Sequence, residues 1–220
     1  MCGFLALQML RGAPVDPERV AAMRDTMRHR GPDDAGLRVD GSVALAHRRL
    51  SILDLSPLGH QPMSNEDGTV WIVFNGEIYN YVELAQELRA RGHVMHSGSD
   101  TEVIVHLWEE MGPRCVERLN GMFAFVIWDA NRRELFGARD RMGIKPFFYH
   151  HGDDRFIAAS EIKGILADPT VRRAPDIHGL SDYLLTGFPM GEKTAFAGIR
   201  QLPPGAALSL KDGQLKTWQW

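Results

Sequence analysis

Val70-Trp71-Ile72-Val73-Phe74-Asn75-Gly76-Glu77 decides the fold. Its first five residues are strand formers with no polar alternation, and a strand with one wet face would alternate, so the run predicts a strand buried on both faces. It stops abruptly at Asn75-Gly76-Glu77. Asn-Gly is a strong hairpin signal, but the next segment is helical, because Leu84 and Leu88 recur at helical spacing within Tyr81 to Arg91 and Gly92 ends the pattern. The expectation is a buried strand that turns into a helix at Asn75 to Glu77. Such a turn presents polar groups at a pocket.

Outward from this stretch, the chain alternates short apolar runs with amphipathic ones. Phe4 to Leu10, bounded by Arg11-Gly12 and Pro14, suits a buried strand with Cys2 at its mouth. Asp16-Pro17-Glu18 reads as N-cap, first helical residue and dipole-favoured acid, and Val20, Met23 and Met27 continue a packed helical face until Gly31-Pro32. Val43 to Ala46 and Leu50 to Leu53 read as strands, with His47-Arg48-Arg49 between them and a loop from Ser56 to Met63 after them. Adjacent arginines at a strand edge are ordinarily solvated. Asp100 is placed to cap a helix bearing Val103, Ile104, Leu107 and Trp108, and Cys115 reads as a buried thiol in a short helical stretch.

Three hairpins are expected in the second half: Met122 to Trp128 with Glu134 to Ala138, Phe147 to Tyr149 with Phe156 to Ala159, and Ala206 to Leu210 with Leu215 to Trp218. Glu161 to Leu166 and Ile177 to Leu185 read as short helices. No repeat or low-complexity linker divides the chain. Many strands with a few amphipathic helices point to sheets packed on one another with helices outside.

At 220 residues, 44% hydrophobic and 24% charged, the chain can bury one sizeable core. A formal charge of -3 gives no electrostatic reason to expect nucleic acid or an anionic membrane. The longest apolar runs, such as Phe123 to Trp128, fall far short of the ~20 residues of a membrane helix, and the N-terminus lacks signal-peptide regions. Cytoplasm is the expected compartment, with Cys2 and Cys115 kept as thiols. His93 with His96 and His150-His151 have metal-like spacing, but no Cys-x-x-Cys or His-Glu-x-x-His pattern supports them, so no metal site is expected.

The chemistry-bearing residue is Cys2. Its small neighbourhood permits removal of Met1, which would give Cys2 a free α-amino group beside its own thiol. A free thiol has a pKa of about 8.5 and needs a base at neutral pH; an α-amine, at about 7.7 to 8.0, can take the proton directly or through one water. That combination is a nucleophile needing no catalytic histidine.

Six motifs then occur in one order: Cys2-Gly3, His29-Arg30-Gly31-Pro32-Asp33, Arg49-Leu50-Ser51-Ile52, Asn75-Gly76-Glu77-Ile78-Tyr79-Asn80, Ser97-Gly98-Ser99-Asp100-Thr101-Glu102 and Asp140-Arg141-Met142-Gly143-Ile144-Lys145-Pro146. Together they closely resemble the N-terminal glutaminase domain of glutamine-hydrolysing asparagine synthetases, which are class II glutamine amidotransferases. The resemblance covers essentially the whole chain and implies an α+β, four-layer αββα sandwich of the N-terminal-nucleophile hydrolase type, with residues 1–220 as one glutaminase domain. It implies hydrolysis of L-glutamine to glutamate and ammonia through a Cys2 thioester. The Asn75 side-chain amide and the Gly76 N–H would hold the oxyanion, Arg49 the α-carboxylate, and Glu77 with Asp100 the α-ammonium. Backbone groups near Leu50 and Ile52 would also touch substrate. His29 to Asp34 and Asp140 to Pro146 would shape the pocket and the exit path for ammonia.

The full-length synthetases also carry an ATP-pyrophosphatase domain with a Ser-Gly-Gly-Leu-Asp-Ser type phosphate loop, and this sequence contains neither that loop nor Gly-x-x-x-x-Gly-Lys. No cofactor is expected for the glutaminase step; ATP and Mg belong to a synthetase domain or subunit that would receive the ammonia. The chain thus reads as a glutaminase half, part of a longer enzyme or a separate subunit, and a homo-oligomer is compatible with it. One alternative is the same chemistry serving another acceptor: a peptide, a sugar or a specialised metabolite. A non-hydrolytic glutamine-binding module is another, against which the intact Cys2, Asn75 and Gly76 count.

Overall fold

The computed structural model describes residues 1–220. From the N-terminus, β1 (Gly3–Met9) leads through α1 (Pro17–Asp25) to the antiparallel pair β2 (Asp34–Asp40) and β3 (Val43–Arg49). A loop and a short β4 (Met63–Ser64) precede β5 (Val70–Ile78), then come α2 (Tyr81–Ala90) and α3 (Asp100–Met111). Two hairpins follow, β6 (Gly121–Asp129) with β7 (Glu134–Arg139) and β8 (Phe148–His151) with β9 (Arg155–Ala159). The chain closes with α4 (Ile162–Leu166), α5 (Ile177–Thr186), β10 (Ile199–Gln201) and the hairpin of β11 (Ala206–Lys211) with β12 (Gln214–Gln219).

The strands form two six-stranded antiparallel sheets, ordered β10-β8-β9-β1-β3-β2 and β12-β11-β7-β6-β5-β4. Their facing sides meet in one apolar layer that includes Phe4, Val73, Val126, Phe147 and Phe156. The outer side of the first sheet, including Leu5 and Leu7, packs under Val20 and Met23 of α1, Met27 of the turn that follows it, and Ile165 of α4. Ile72 and Phe74 on the outer side of the second pack under Leu84 and Leu88 of α2 and Ile104, Leu107 and Trp108 of α3. The result is the expected helix-sheet-sheet-helix sandwich. It also explains the missing alternation: successive residues of β5 point into two different cores, both dry. Phe156 is fully buried between the sheets, so Phe156→Ala should cost about 3–5 kcal/mol in chemical denaturation, the range for emptying an aromatic site in a core. No helix is long and apolar enough to cross a membrane.

Several boundaries differ from the sequence expectation, each for a tertiary reason. Asn75-Gly76-Glu77 is no turn; these residues continue β5 in register with Ala124, Phe123 and Met122 of β6, and the chain leaves the ladder only after Ile78. A full partner strand overrides the local Asn-Gly preference. His47-Arg48-Arg49 lies inside β3 and is buried, because β3 sits between β1 and β2, and β2 itself was not foreseen. Leu50 to Leu53 is loop rather than strand. The first helix stops at Asp25, where the Thr26 hydroxyl bonds the Met23 carbonyl, and turns carry the chain on to Arg30. Ser99, not Asp100, caps α3, accepting from the Thr101 N–H.

Candidate active site

Cys2 sits where β1 begins, beside β3, since Gly3 pairs with Arg48. Its Sγ lies 3.4 Å from the Leu50 N–H nitrogen and 3.6 Å from the Leu50 carbonyl oxygen. The Arg30 Nε–H donates to the Cys2 carbonyl at 2.8 Å, and Arg30 Nη1 is anchored on Glu161 at 3.1 Å. Burial pushes the thiol pKa up, against smaller downward pulls from the Leu50 backbone and nearby positive charge. Left alone, this thiol is protonated at neutral pH. It becomes a nucleophile only with a base beside it.

Facing it from the second sheet is Asn75, 1% exposed on β5. Its Nδ2 is buried and has no hydrogen-bond partner. Buried amide donors are almost always paired, because leaving one unpaired costs about 1–3 kcal/mol, so an orphan at a pocket is a donor poised for a ligand oxygen. The strand carrying it is clamped just upstream. The Phe74 N–H donates to Gln61 Oε1 at 2.7 Å, and His47 Nε2 donates to the Phe74 carbonyl at 2.9 Å. Burial lowers the His47 pKa to about 4, so this imidazole is neutral at physiological pH and acts as a strut rather than a base. Gly76 has no room for a side chain: a Cβ would come 2.4 Å from the Met122 carbonyl oxygen and 2.8 Å from the Phe123 Cα. Gly76→Ala is therefore expected to push β5 off β6, lowering the melting temperature and activity together, as thermal unfolding and a glutaminase assay would record.

Asp100 occupies the first turn of α3, 4% exposed, with Oδ2 accepting the Ile78 N–H at 2.8 Å. Burial pushes its pKa up to about 6, the neighbouring Glu77 charge adds to the rise, and the Ile78 hydrogen bond opposes it. Two carboxylates here can receive one cation. Arg49 ends β3, 7% exposed; its Nη1 donates to the Ser56 carbonyl at 3.2 Å, and its Nη2 to the Leu53 carbonyl at 3.3 Å and to the Asp54 carbonyl. With Nη2 occupied, this guanidinium offers an anion its charge and a remaining Nη1 or Nε proton, not a free two-pronged edge.

All eight residues singled out from the sequence, Cys2, Arg49, Leu50, Ile52, Asn75, Gly76, Glu77 and Asp100, line one cavity of about 90 Å³. Ile52 is 71% exposed, at the rim. Lys145 also lines it; the Asp140 carboxylate holds its loop by accepting the N–H groups of Phe123, Met142, Ile144 and Lys145. Sequence reasoning gave Arg30 and Lys145 only as members of pocket-shaping segments and missed His47 and Gln61 altogether. His47 was hidden in a segment read as a connection; for Gln61 no signal existed. The paired histidines are not gathered at this site: His93 meets His106 and the carboxylates of Glu109 and Glu110, and His150 donates to the Gly198 carbonyl. Cys115 is buried and its pKa is pushed up to about 12.

A glutamine amidotransferase domain model matches residues 1–220. Asparagine synthetase [glutamine-hydrolyzing] 3 of Bacillus subtilis is 39% identical over 224 residues, covering 100% of this chain and 36% of that protein. Asparagine synthetase [glutamine-hydrolyzing] 2 of the same organism is 44% identical over 192 residues, covering 85% and 25%. The chain thus spans about a third or less of the length of these curated relatives. Among solved structures, glutamine phosphoribosylpyrophosphate amidotransferase from B. subtilis superposes with a TM-score of 0.72 at 21% identity, over 99% of this chain and 49% of that one, a likeness of fold.

Proposed function

The chain belongs to the glutamine amidotransferase domain family, and from that premise we propose that it hydrolyses L-glutamine and delivers the ammonia to an ATP-dependent synthetase partner that makes asparagine. The observation that carries the reading is a thiol and a partnerless buried amide donor lining one cavity, with an arginine and two carboxylates beside them. After Met1 is removed, the α-amine of Cys2 takes the thiol proton as Sγ attacks the side-chain carbonyl carbon of glutamine. Negative charge collects on the carbonyl oxygen, where the Asn75 Nδ2–H and the Gly76 N–H meet it. Collapse breaks the C–N bond, the amine returns its proton to the leaving nitrogen, and ammonia departs. Water then hydrolyses the glutamyl thioester, regenerating the thiol.

Arg49 takes the α-carboxylate, with Glu77 and Asp100 on the α-ammonium and the backbone around Leu50 and Ile52 along the side chain. No cofactor enters these steps; ATP and Mg serve the partner, which activates the acceptor. The relatives are named asparagine synthetases, which supports asparagine as the partner's product. The test is glutamate and ammonia release from glutamine by chain whose intact mass shows Met1 gone. No release, with no labelling of Cys2 by a glutamine-like alkylator, overturns the reading.

Asp100 gives this reading a pH signature. A carboxyl with a pKa near 6 is neutral below that value and binds an ammonium poorly, so the Kd of glutamine for a Cys2→Ser chain should rise as pH falls below about 6, approaching tenfold per pH unit. The same raised pKa acts on stability with a defined sign. Between the ordinary carboxylate range and pH 6 the folded chain keeps a proton the unfolded chain has lost, so this group's contribution falls as pH rises through that window. Calorimetric titration at several pH values, repeated with Asp100→Asn, reads the affinity; a pH dependence that survives the substitution would remove Asp100 from the ammonium site.

A further inference from the structure

The two ends of the proposed amino-acid site come from different layers. Arg49 closes β3 of the first sheet, whereas Asp100 begins α3, which packs on the second. Each end is held by its own loop. The carbonyls of Leu53, Asp54 and Ser56 fix the Arg49 guanidinium. On the other side, the Glu102 carboxylate accepts the His96 N–H at 2.7 Å, the Ser97 N–H at 2.8 Å and the Ser97 hydroxyl at 2.6 Å, while the Ser97 hydroxyl oxygen accepts the Ser99 N–H at 3.2 Å. Ser99 then caps the helix that carries Asp100. Neither set of bonds fixes the distance between the two ends.

The loop after Arg49 meets the loop before α3 through Asp54 Oδ2, which accepts the Gly98 N–H at 2.8 Å across 44 residues of sequence; farther along, Gln61 Nε2 donates to Thr101 Oγ1 of α3 at 3.2 Å and supports the same approach. Asp54 Oδ1 is meanwhile held by the Ser56 N–H at 3.0 Å and by the Ser56 hydroxyl. Asp54 has φ +47°, in the left-handed region that aspartate and asparagine enter more readily than other side-chain-bearing residues but still at a cost relative to glycine. That conformation is maintained where surrounding bonds over-determine it, and here they lie on both carboxylate oxygens and on the carbonyl that Arg49 grips.

Resting on the glutamine reading above, we propose that Asp54 is a specificity-setting positioning residue: its clasp on Gly98 fixes the spacing between Arg49 and Asp100, so that only a ligand with both an α-carboxylate and an α-ammonium is held at both ends. Preorganised spacing matters to a two-ended ligand and not to a one-ended one. The clasp therefore shows itself as selectivity rather than as general affinity.

The experiment measures binding to the Cys2→Ser chain, with and without Asp54→Ala, by calorimetry or ligand-observed NMR. The ligands are L-glutamine, 4-carbamoylbutanoate, which lacks the ammonium, and 4-aminobutanamide, which lacks the carboxylate. Asp54→Ala should weaken glutamine about tenfold, the loss of one charge-assisted tie, and each one-ended analogue less than about twofold. Asp54→Asn keeps one acceptor oxygen and tolerates the left-handed backbone, so it should recover much of the selectivity. If Asp54→Ala fails to fold, Asp54→Gly, which relieves the backbone cost, carries the same expectation. Equal weakening of all three ligands, or no change in glutamine affinity, overturns the clasp while leaving the glutaminase reading intact. Failure of the parent chain to bind glutamine overturns both.

Discussion

Cys2→Ala should abolish glutamate release, by about 10⁴-fold or more, with melting temperature and glutamine affinity nearly unchanged. The size follows from the chemistry: without the sulfur no thioester forms, and what remains is the acceleration that oxyanion donors and binding give to water alone. The small structural effect follows from the site, where Cys2 lies at the end of β1 and its Sγ makes only two long hydrogen bonds, both with the Leu50 backbone. A sharper version leaves the thiol in place. Burial raises the Cys2 pKa, so the thiol depends on a base, and the proposed base exists only when Cys2 is the first residue. A chain with an uncleaved N-terminal extension should therefore be as inactive as Cys2→Ala, although its thiol is intact. Full activity in the extended chain would mean that another group takes the proton, and the α-amine mechanism would fall even if Cys2→Ala is dead. Glutamate release quantified against intact mass, with labelling of Cys2 but not of the buried Cys115, separates these outcomes.

The architecture was legible because sequence records burial well. Both faces of β1 and β5 enter apolar layers, and that is visible as runs without alternation. Local polar chemistry was less legible, because its meaning depends on partners far along the chain. Arg48 and Arg49 look like surface charges until β1 and β2 flank their strand, the Gly31 carbonyl accepts from Arg48 Nε at 3.0 Å and the loop after Arg49 wraps its guanidinium. Asn75-Gly76 looks like a hairpin tip until β6 pairs straight across it. His47 and Gln61 have no local signature; what assigns them is the Phe74 peptide, whose N–H and carbonyl they satisfy beyond the reach of the two-residue β4. The candidate site itself was readable only through the order of six motifs. Spacing and periodicity alone left Arg49 and Asp100 as a surface charge and a helix cap.

Asn75→Ala should separate catalysis from stability in a way few buried substitutions do. Removing one oxyanion donor from other acyl-transfer enzymes costs about 10²–10³-fold in kcat, and the same loss is expected here, with KM little altered because the donor is needed where charge develops rather than in the ground state. A buried, well-bonded asparagine would also lose stability on truncation. Asn75 differs, since its Nδ2 is buried without a partner, and the folded chain carries the desolvation cost of that amide with no bond in return. Truncation relieves that cost while opening a small void, so stability should hold level or rise, within about 1 kcal/mol. Asn75→Asp supplies the opposite sign of charge at the same place and should be the slower enzyme, because an anion there repels the oxyanion. Steady-state kinetics beside chemical denaturation decides the matter. A drop in stability as large as an ordinary core truncation, about 2 kcal/mol or more, would mean that Asn75 is bonded in the resting protein and is not a donor held in reserve. An unchanged kcat would mean that a donor other than Asn75 joins the Gly76 N–H at the oxyanion, and Lys145, the cation on the lining not assigned to the α-carboxylate, would be the next side chain to substitute.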